Sequence, residues 1–450
     1  MSTAVSALTV GIDIGTSSVK AVAADADGNV VARSRIPHEF FVPTPLRFEH
    51  DATRAWYEGP RRALEALGNV EPVGVSVAAM VPSLTSVDAD GVPCAPGLLY
   101  GDERGHADRP GAIAEAGELA QFMRWQAQEH PEARGYWMAQ AVANNALSGE
   151  GVISSTVAAT AYPMFDWRQW DVEKLAEVGV RPDQMPRIGP TGEALAEITG
   201  RPGCVLEGGT IDALGEQLVA GSDNDGDVLV ICGTTLIVWA VIPEAADVPG
   251  HYAIPHTARG KFLIGGPSNA GGLFLNWVDR LCSSEGPGTG DGSAASVGDP
   301  GRVPIWAPYP RGERVPFQDS GRRAALADLN LTHDAASVRR AAFEAAGFVT
   351  RRMLDASRIS AHRIVATGGG TRVEAWMQAL ADCTALPVHV SAVPEGGALG
   401  AAFLARIAAG LEPSMHEATR WARTSHIVEP DPAWASAVGD RYGRFCEVAG

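Results

Sequence analysis

Two aspartates and two glycine–hydroxyl turns hold most of the chemistry this sequence can offer. Asp13 interrupts the apolar run "LTVGIDI", just ahead of Gly15-Thr16-Ser17-Ser18, and Lys20 follows the turn. A lone carboxylate in such a strand is costly unless it is paired or set beside a cation. The backbone amides of a Gly/Thr/Ser turn can converge on an anion without side-chain obstruction, and the hydroxyls add donors. A second turn, Gly233-Thr234-Thr235, follows the equally apolar "VLVIC". Together the turns suit two sides of a polyphosphate, with Gly15, Thr16, Ser17 and Lys20 on one side and Gly233, Thr234 and Thr235 on the other. Asp13 would orient the water shell of Mg²⁺, which takes few carboxylates and keeps its waters. Lys20 would neutralise charge developing on the outer phosphates. Either turn alone reads as a plain hairpin; the repetition, with an acid before the first copy, gives the pattern its meaning.

Asp212 stands after a Gly-Gly turn and opens a helix in "EGGTIDALGEQLVAG" (207–221). An acid there complements the helix dipole. It also suits a general base for an attacking hydroxyl, because in a loose phosphoryl-transfer transition state the proton leaves late and positioning outweighs basicity. Gly368-Gly369-Gly370 would let backbone approach a flat ring or a ribose, although alone it reads as a turn. The segment 308–323, "PYPRGERVPFQDSGRR", is either an ion-paired loop or a neighbour of phosphate.

These residues need elements to hold them. Residues 8–36 read as three strands, linked by the first turn and by Asp27-Gly28-Asn29. Trp56, Leu64 and Leu67 have helical spacing within 51–67, with Asp51 or Thr53 able to cap the start. A strand follows at 73–79. The polar stretch 221–227, "GSDNDGD", reads as a domain junction. Laying Gly15 over Gly233 superposes strand, turn and strand in both halves, which implies a duplicated architecture of two domains, 1–222 and 223–450. Ile231 then falls where the first copy has Asp13, so the acid is present once. The glycine- and serine-rich stretch 284–300 reads as a surface loop. A long helix is expected from residue 335, then a strand at 363–367 and a glycine turn opening another helix.

Composition sets outer bounds. At 450 residues the chain can form about two domains. With 46% hydrophobic and 20% charged residues it reads as globular. A formal charge of −17 argues against nucleic acid or an anionic membrane as partner. The six cysteines are too scattered for a metal knuckle and read as reduced thiols. Without a basic–apolar leader or an apolar run of ~18 residues, the expected location is cytoplasmic.

In order along the chain, these motifs resemble the FGGY carbohydrate kinases, xylulose-kinase-like members of the actin-like ATPase superfamily. "GIDIGTSSVKAV" and "ICGTT" resemble its two phosphate motifs. "FEHD" (48–51) with Trp56 resembles its "VEHD…W" element, and "YGDER" (100–104) its "WxDxR". "EGGTIDALGEQLVAG" looks like its base motif and "PYPRGERVPFQD" like its "PYLxGERTPxxD". "ATGGGTRVEAWMQALADCTALPVHV" looks like its adenosine motif, with "PEGGALGAAFLA" (394–405) as the continuation. The resemblance implies an α/β fold of two ribonuclease-H-like domains around a central cleft, with ATP, Mg²⁺ and a small sugar or polyol meeting there. It implies that Asp212 is the base, that Asp13 serves the metal, and that Gly368, Gly369 and Gly370 lie against the nucleotide. The substrate, a ketose such as a pentulose, would be met by Asp13, Met80, Val81, Asp102 and Asp212. A homodimer is compatible with it.

The chain departs from that pattern twice. Met80-Val81-Pro82 stands where family members usually place polar side chains, and apolar side chains cannot hydrogen-bond a polyol. The segment after Arg104 is also short. The apolar replacement argues against glycerol as substrate, and the shortened segment removes a piece that in the family normally helps wall the sugar pocket. Two other readings remain: an actin-like nucleotide switch, in which Asp212 has no evident task, and a kinase-derived binding protein that has lost turnover.

Overall fold

The runs 8–14 and 18–24 are buried almost throughout, so they form central strands of a sheet and not a surface hairpin. They belong to a computed structural model that describes residues 7–105, 117–257, 260–282, 299–319 and 321–450. The first sheet uses β1 (Leu8–Ile14), β2 (Ser18–Ala24), β3 (Val30–Pro37), β4 (Pro72–Ala79), β5 (Ala194–Glu197), β6 (Val205–Glu207) and β7 (Thr210–Ile211). Their order is β5-β6-β4-β1-β2-β3, with β7 also on β4. The strands β1, β2 and β3 form an antiparallel meander. Parallel pairing then joins β4 to β1, and β6 and β7 to β4.

The second sheet repeats the scheme with β8 (Asp227–Cys232), β9 (Leu236–Ile242), β10 (Tyr252–Pro255), β11 (Phe262–Ser268), β12 (Arg363–Thr367), β13 (Val388–Ser391) and β14 (Thr424–Val428). The order is β10-β11-β9-β8-β12-β13-β14. Again the first strand, β8, has an antiparallel neighbour on one side and a parallel one on the other. The expected duplication is therefore one of topology as well as of turn sequence.

The chain divides into two units. One runs to Val219 and also takes Glu395–Trp421; the other comprises Ala220–Pro394 and Ala422–Gly450. A linear division at 222/223 does not describe this return. The return helix, Gly396–Ala408, packs on β1 and β4 of the first sheet, so the segment Glu395–Trp421 belongs to the first unit, whereas the glycine triplet belongs to the second. Its glycines and alanines are buried nearly all round, as a helix enclosed on every side requires. The reason is visible at Gly11, where a Cβ would lie 1.7 Å from the Ala398 carbonyl oxygen and 2.4 Å from the Ala402 nitrogen.

Other expectations meet their elements. The long helix spans Ala335–Ser357, and a further helix, Glu374–Thr384, follows the glycine triplet. Asp51 accepts a hydrogen bond from the Arg54 nitrogen at 3.0 Å, the capping role foreseen for it. Most of the stretch read as a surface loop, 284–300, lies outside the described residues, as do residues 106–116 in the shortened segment. Among the described residues no helix is long and apolar enough to cross a membrane.

Candidate active site

The parallel strands of the first sheet bring its two key acids together. Ala78 of β4 pairs with Asp13 on one side and Thr210 on the other; Ala79 likewise pairs with Ile14 and Ile211. Asp13 near the end of β1 and Asp212 just beyond β7 therefore flank the carboxyl end of β4, where the chain runs on into Met80 and Val81. That end of a parallel arrangement is where α/β sheets collect ligands. The return helix closes the group. A Cβ on Gly397 would lie 3.3 Å from the Asp13 Cγ and 3.5 Å from the Asp212 carbonyl oxygen. The helix opened by Asp212 crosses the return helix glycine on glycine, a Cβ on Gly400 meeting the Gly215 carbonyl oxygen at 2.1 Å. Gly397 was missed as a site residue because chain order places it with the nucleotide motif.

Asp13 is 7% exposed. Its Oδ2 lies 3.6 Å from the Lys20 Nζ across the β1–β2 ladder, and its buried Oδ1 has no hydrogen-bond partner. Burial pushes the carboxyl pKa up, and Lys20 opposes that shift. Lys20, expected at the outer phosphates, thus also answers the acid in its own hairpin. An orphaned buried oxygen fits a hydrated cation beside Asp13. Among the described residues no cluster of three His, Cys, Asp or Glu could cage a metal. A single buried carboxylate oxygen fits Mg²⁺, which takes few carboxylates and keeps its waters.

The first turn is braced from below. The Thr16 carbonyl accepts a hydrogen bond from His50 Nε2 at 2.8 Å, while the Trp56 Nε1–H donates to His50 Nδ1 at 3.0 Å. Indole nitrogen can only donate, so His50 carries its proton on Nε2. Burial, with His38 adding to it, pushes the His50 pKa down to about 3, so the ring is neutral. This explains His50 and Trp56 in "FEHD…W". Tyr100 Oη lies 3.3 Å from the Thr16 Oγ1, and Ser17 is exposed. Gly15 has no positive φ, and a Cβ there would meet nothing closer than the Ser18 carbonyl oxygen at 3.4 Å. The fold does not require glycine at that position.

Two expected substrate contacts look different in three dimensions. Asp102 is fully buried, accepting from the Phe48 nitrogen at 2.6 Å and from Arg104 Nε and Nη2 at 2.8 and 2.7 Å. Its oxygens are spent on the chain, so it supports Arg104 and does not face a ligand. Met80 is buried to 2% exposure, with Val81 half-buried after it.

In the second unit the turn is one residue shorter: Cys232 pairs with Leu236 where Ile14 pairs with Val19. Gly233 and Thr234 offer their carbonyls to the amides of Gly272 and Leu273 at 2.9 and 3.0 Å. Glu313 braces the preceding segment, "SNAGG" (268–272), accepting from Ser268 Oγ at 2.6 Å and the Asn269 nitrogen at 2.9 Å. Burial pushes the Glu313 pKa up to about 7. The motif around "RGERVP" thus supplies a buried acid that holds a loop, a role its mix of charges did not reveal. Within the glycine triplet, Gly368 (φ +90°) and Gly370 are demanded by Cys232 and Trp376, whose atoms a Cβ would meet at 2.9 and 2.2 Å. Gly369 faces open space, with nothing within 4 Å of a Cβ.

The structure therefore gathers Asp13, Lys20, Met80, Asp212 and the first turn in one unit, and Gly233–Thr235 with Gly368–Gly370 in the other. Profiles of the N- and C-terminal domains of the FGGY family of carbohydrate kinases match residues 8–109 and 228–409. A xylulose kinase of Streptomyces coelicolor is 29% identical, the match covering 94% of this chain and 92% of that protein. A gluconokinase of Bacillus licheniformis is 25% identical over 89% and 87%. In three dimensions the chain is similar to a gluconate kinase of Lactobacillus acidophilus, with a TM-score of 0.81 at 20% identity over 98% and 97% of the two chains.

Proposed function

The chain belongs to the FGGY family of carbohydrate kinases, and we propose that it moves the γ-phosphoryl group of ATP to a hydroxyl of a ketose, a pentulose first among them, with Asp212 as general base. The observation that carries this reading is the meeting of Asp13 and Asp212 over Gly397. One acid offers an unpartnered buried oxygen to a cation and the other opens a helix beside it.

In this reading the amides and hydroxyls of Thr16 and Ser17, with Lys20, and those of Thr234 and Thr235 bind the triphosphate, while the Gly15 and Gly233 amides close their own turns on the Ser18 and Thr235 carbonyls at 3.1 Å each. Gly369 leaves room for the nucleoside. Mg²⁺ beside Asp13 supplies charge neutralisation on the phosphates. Asp212 holds the acceptor hydroxyl and takes its proton as the oxygen bonds to the γ-phosphorus and ADP leaves. Proper holding of the acceptor matters more than base strength here. The relatives named for xylulose and gluconate support an acceptor of that size. Val81, half-buried just beyond β4, offers no polar side chain there, which supports a substrate with fewer hydroxyls to satisfy at that point, since one left unpaired costs about 1–3 kcal/mol.

The test is ADP release with Mg-ATP and a panel of pentuloses, hexuloses, gluconate and glycerol. A ketose should stimulate release most and glycerol least. Asp212→Asn should lower the stimulated rate by about 10²–10⁴-fold with ATP binding kept. Full activity in that variant removes Asp212 from its role, and ATP turnover indifferent to every acceptor favours a nucleotide switch.

A further inference from the structure

We propose that Glu207 is the residue that positions Asp212, an assignment that rests on reading Asp212 as the base. Glu207 is fully buried. It holds three donors from three segments: Ser76 Oγ of β4 at 2.7 Å, the Gly209 nitrogen at 2.7 Å and the Gly192 nitrogen at 3.0 Å. The other side chains that close the same turn are neutral. Asn144 Nδ2 donates to the Gly208 carbonyl at 3.2 Å, Ser154 Oγ to that of Gly209 at 2.6 Å, and Gln140 Nε2 to that of Thr210 at 3.1 Å. Neutral groups satisfy a buried turn at lower cost than an acid held by neutral donors.

What a carboxylate adds is two oxygens that accept and no donor of its own to place. An amide in its position would turn an NH₂ toward one of the three donors. The geometry this secures is narrow. Gly209 has φ +94°, and a Cβ there would meet the Val77 carbonyl oxygen at 2.6 Å, so the turn lies hard against β4. Glu207 ties that turn to Ser76, two residues before the Ala78 that pairs with both Thr210 and Asp13. It therefore fixes the register of β7 against β4. A slip of one residue would send the chain entering Asp212 to the opposite face of the sheet.

The experiment is a cycle of four enzymes: wild type, Glu207→Gln, Asp212→Asn and the double variant, each measured for kcat, for the KM of ATP and for thermal midpoint. Glu207→Gln should lower kcat about 10- to 100-fold, the effect of a misplaced reacting group, with the KM of ATP held within about twofold. In the Asp212→Asn background the same change should have no further effect, because a base already removed cannot be misplaced. An equal fold-loss in both backgrounds, or an unchanged kcat, overturns the proposal. If Glu207→Gln does not fold, Ser76→Ala, which removes one of the three donors, should show a fall of a few-fold in kcat that vanishes in the Asp212→Asn background; its persistence there overturns the proposal equally. Failure of the base assignment is separately visible, as full activity of Asp212→Asn alone.

Discussion

The turn after β1 and the turn after β8 occupy the same place in two sheets of one topology, yet they are built differently. The first lies above a cross-strand Asp13–Lys20 pair; the second lies above Ile231 and Ile237. The first rests on a histidine that burial keeps neutral. The second rests on the amides of a following helix and on a loop that a buried glutamate holds. The glycine–hydroxyl turn has been used twice, while the buried carboxylate ahead of it has been installed once. Repeating a scaffold does not repeat its chemistry.

The largest expected effect breaks that symmetry at the equivalent positions. Asp13→Asn should lower phosphoryl transfer by at least about 10²-fold, with the loss measured at saturating Mg-ATP. Ile231→Val should leave the rate within about twofold and cost ~0.5–1.5 kcal/mol of stability. Equal rate losses in the two variants would mean that the halves share the work.

Glycines sharpen the comparison next. Gly397→Ala presses on the Asp13 carboxyl from 3.3 Å, so kcat should fall about tenfold. The thermal midpoint should change little, because Gly397 stands in the first turn of its helix, where the preference for alanine is weaker than in a helix interior. Gly369→Ala should raise the KM of ATP without lowering the midpoint, since nothing in the chain meets its Cβ. Gly370→Ala should lower the midpoint, because Trp376 stands 2.2 Å away. If the two triplet variants behave alike, Gly369 has no ligand to admit.

The smallest effect is in pH, and here the two braces have opposite signs. His50, at about 3 when folded and 6.5 when free, contributes stability that is present above pH 6.5 and lost as pH falls toward 3. Glu313, at about 7 when folded and 4.5 when free, contributes stability that is present below pH 4.5 and lost as pH rises to about 7. Urea midpoints of Glu313→Gln relative to wild type should therefore improve as pH rises from 4.5 to 7, a range set by those two values. His50→Gln should lose less stability than wild type on acidification below 6.5. A difference that stays flat with pH would disconnect either brace from its burial.

Much of this was legible in residue order. The apolar runs, the hairpin turns and the helix at 335–357 follow from local pattern, and the doubled turn announced the doubled sheet. The parts that were not legible depend on partners far along the chain. Glu207 finds Ser76, Glu313 finds Ser268, and Asp102 turns inward to Arg104 and Phe48. Spacing tells that an acid is present; it does not tell whether that acid faces a ligand or a neighbouring amide. The three letters of the glycine triplet are identical, and only the atoms around each backbone separate two structural glycines from one facing open space.

The return helix also bears on how the molecule is made. A ribosome releases residues 396–408 only after the whole of the second sheet through β13 has emerged, yet β1 and β4 need that helix to cover them. The half that is translated first thus waits for a segment made near the end of the chain. Until then the nascent chain carries an open notch at Gly11, and a synthesis halted before residue 395 leaves its sticky face for chaperones to shield.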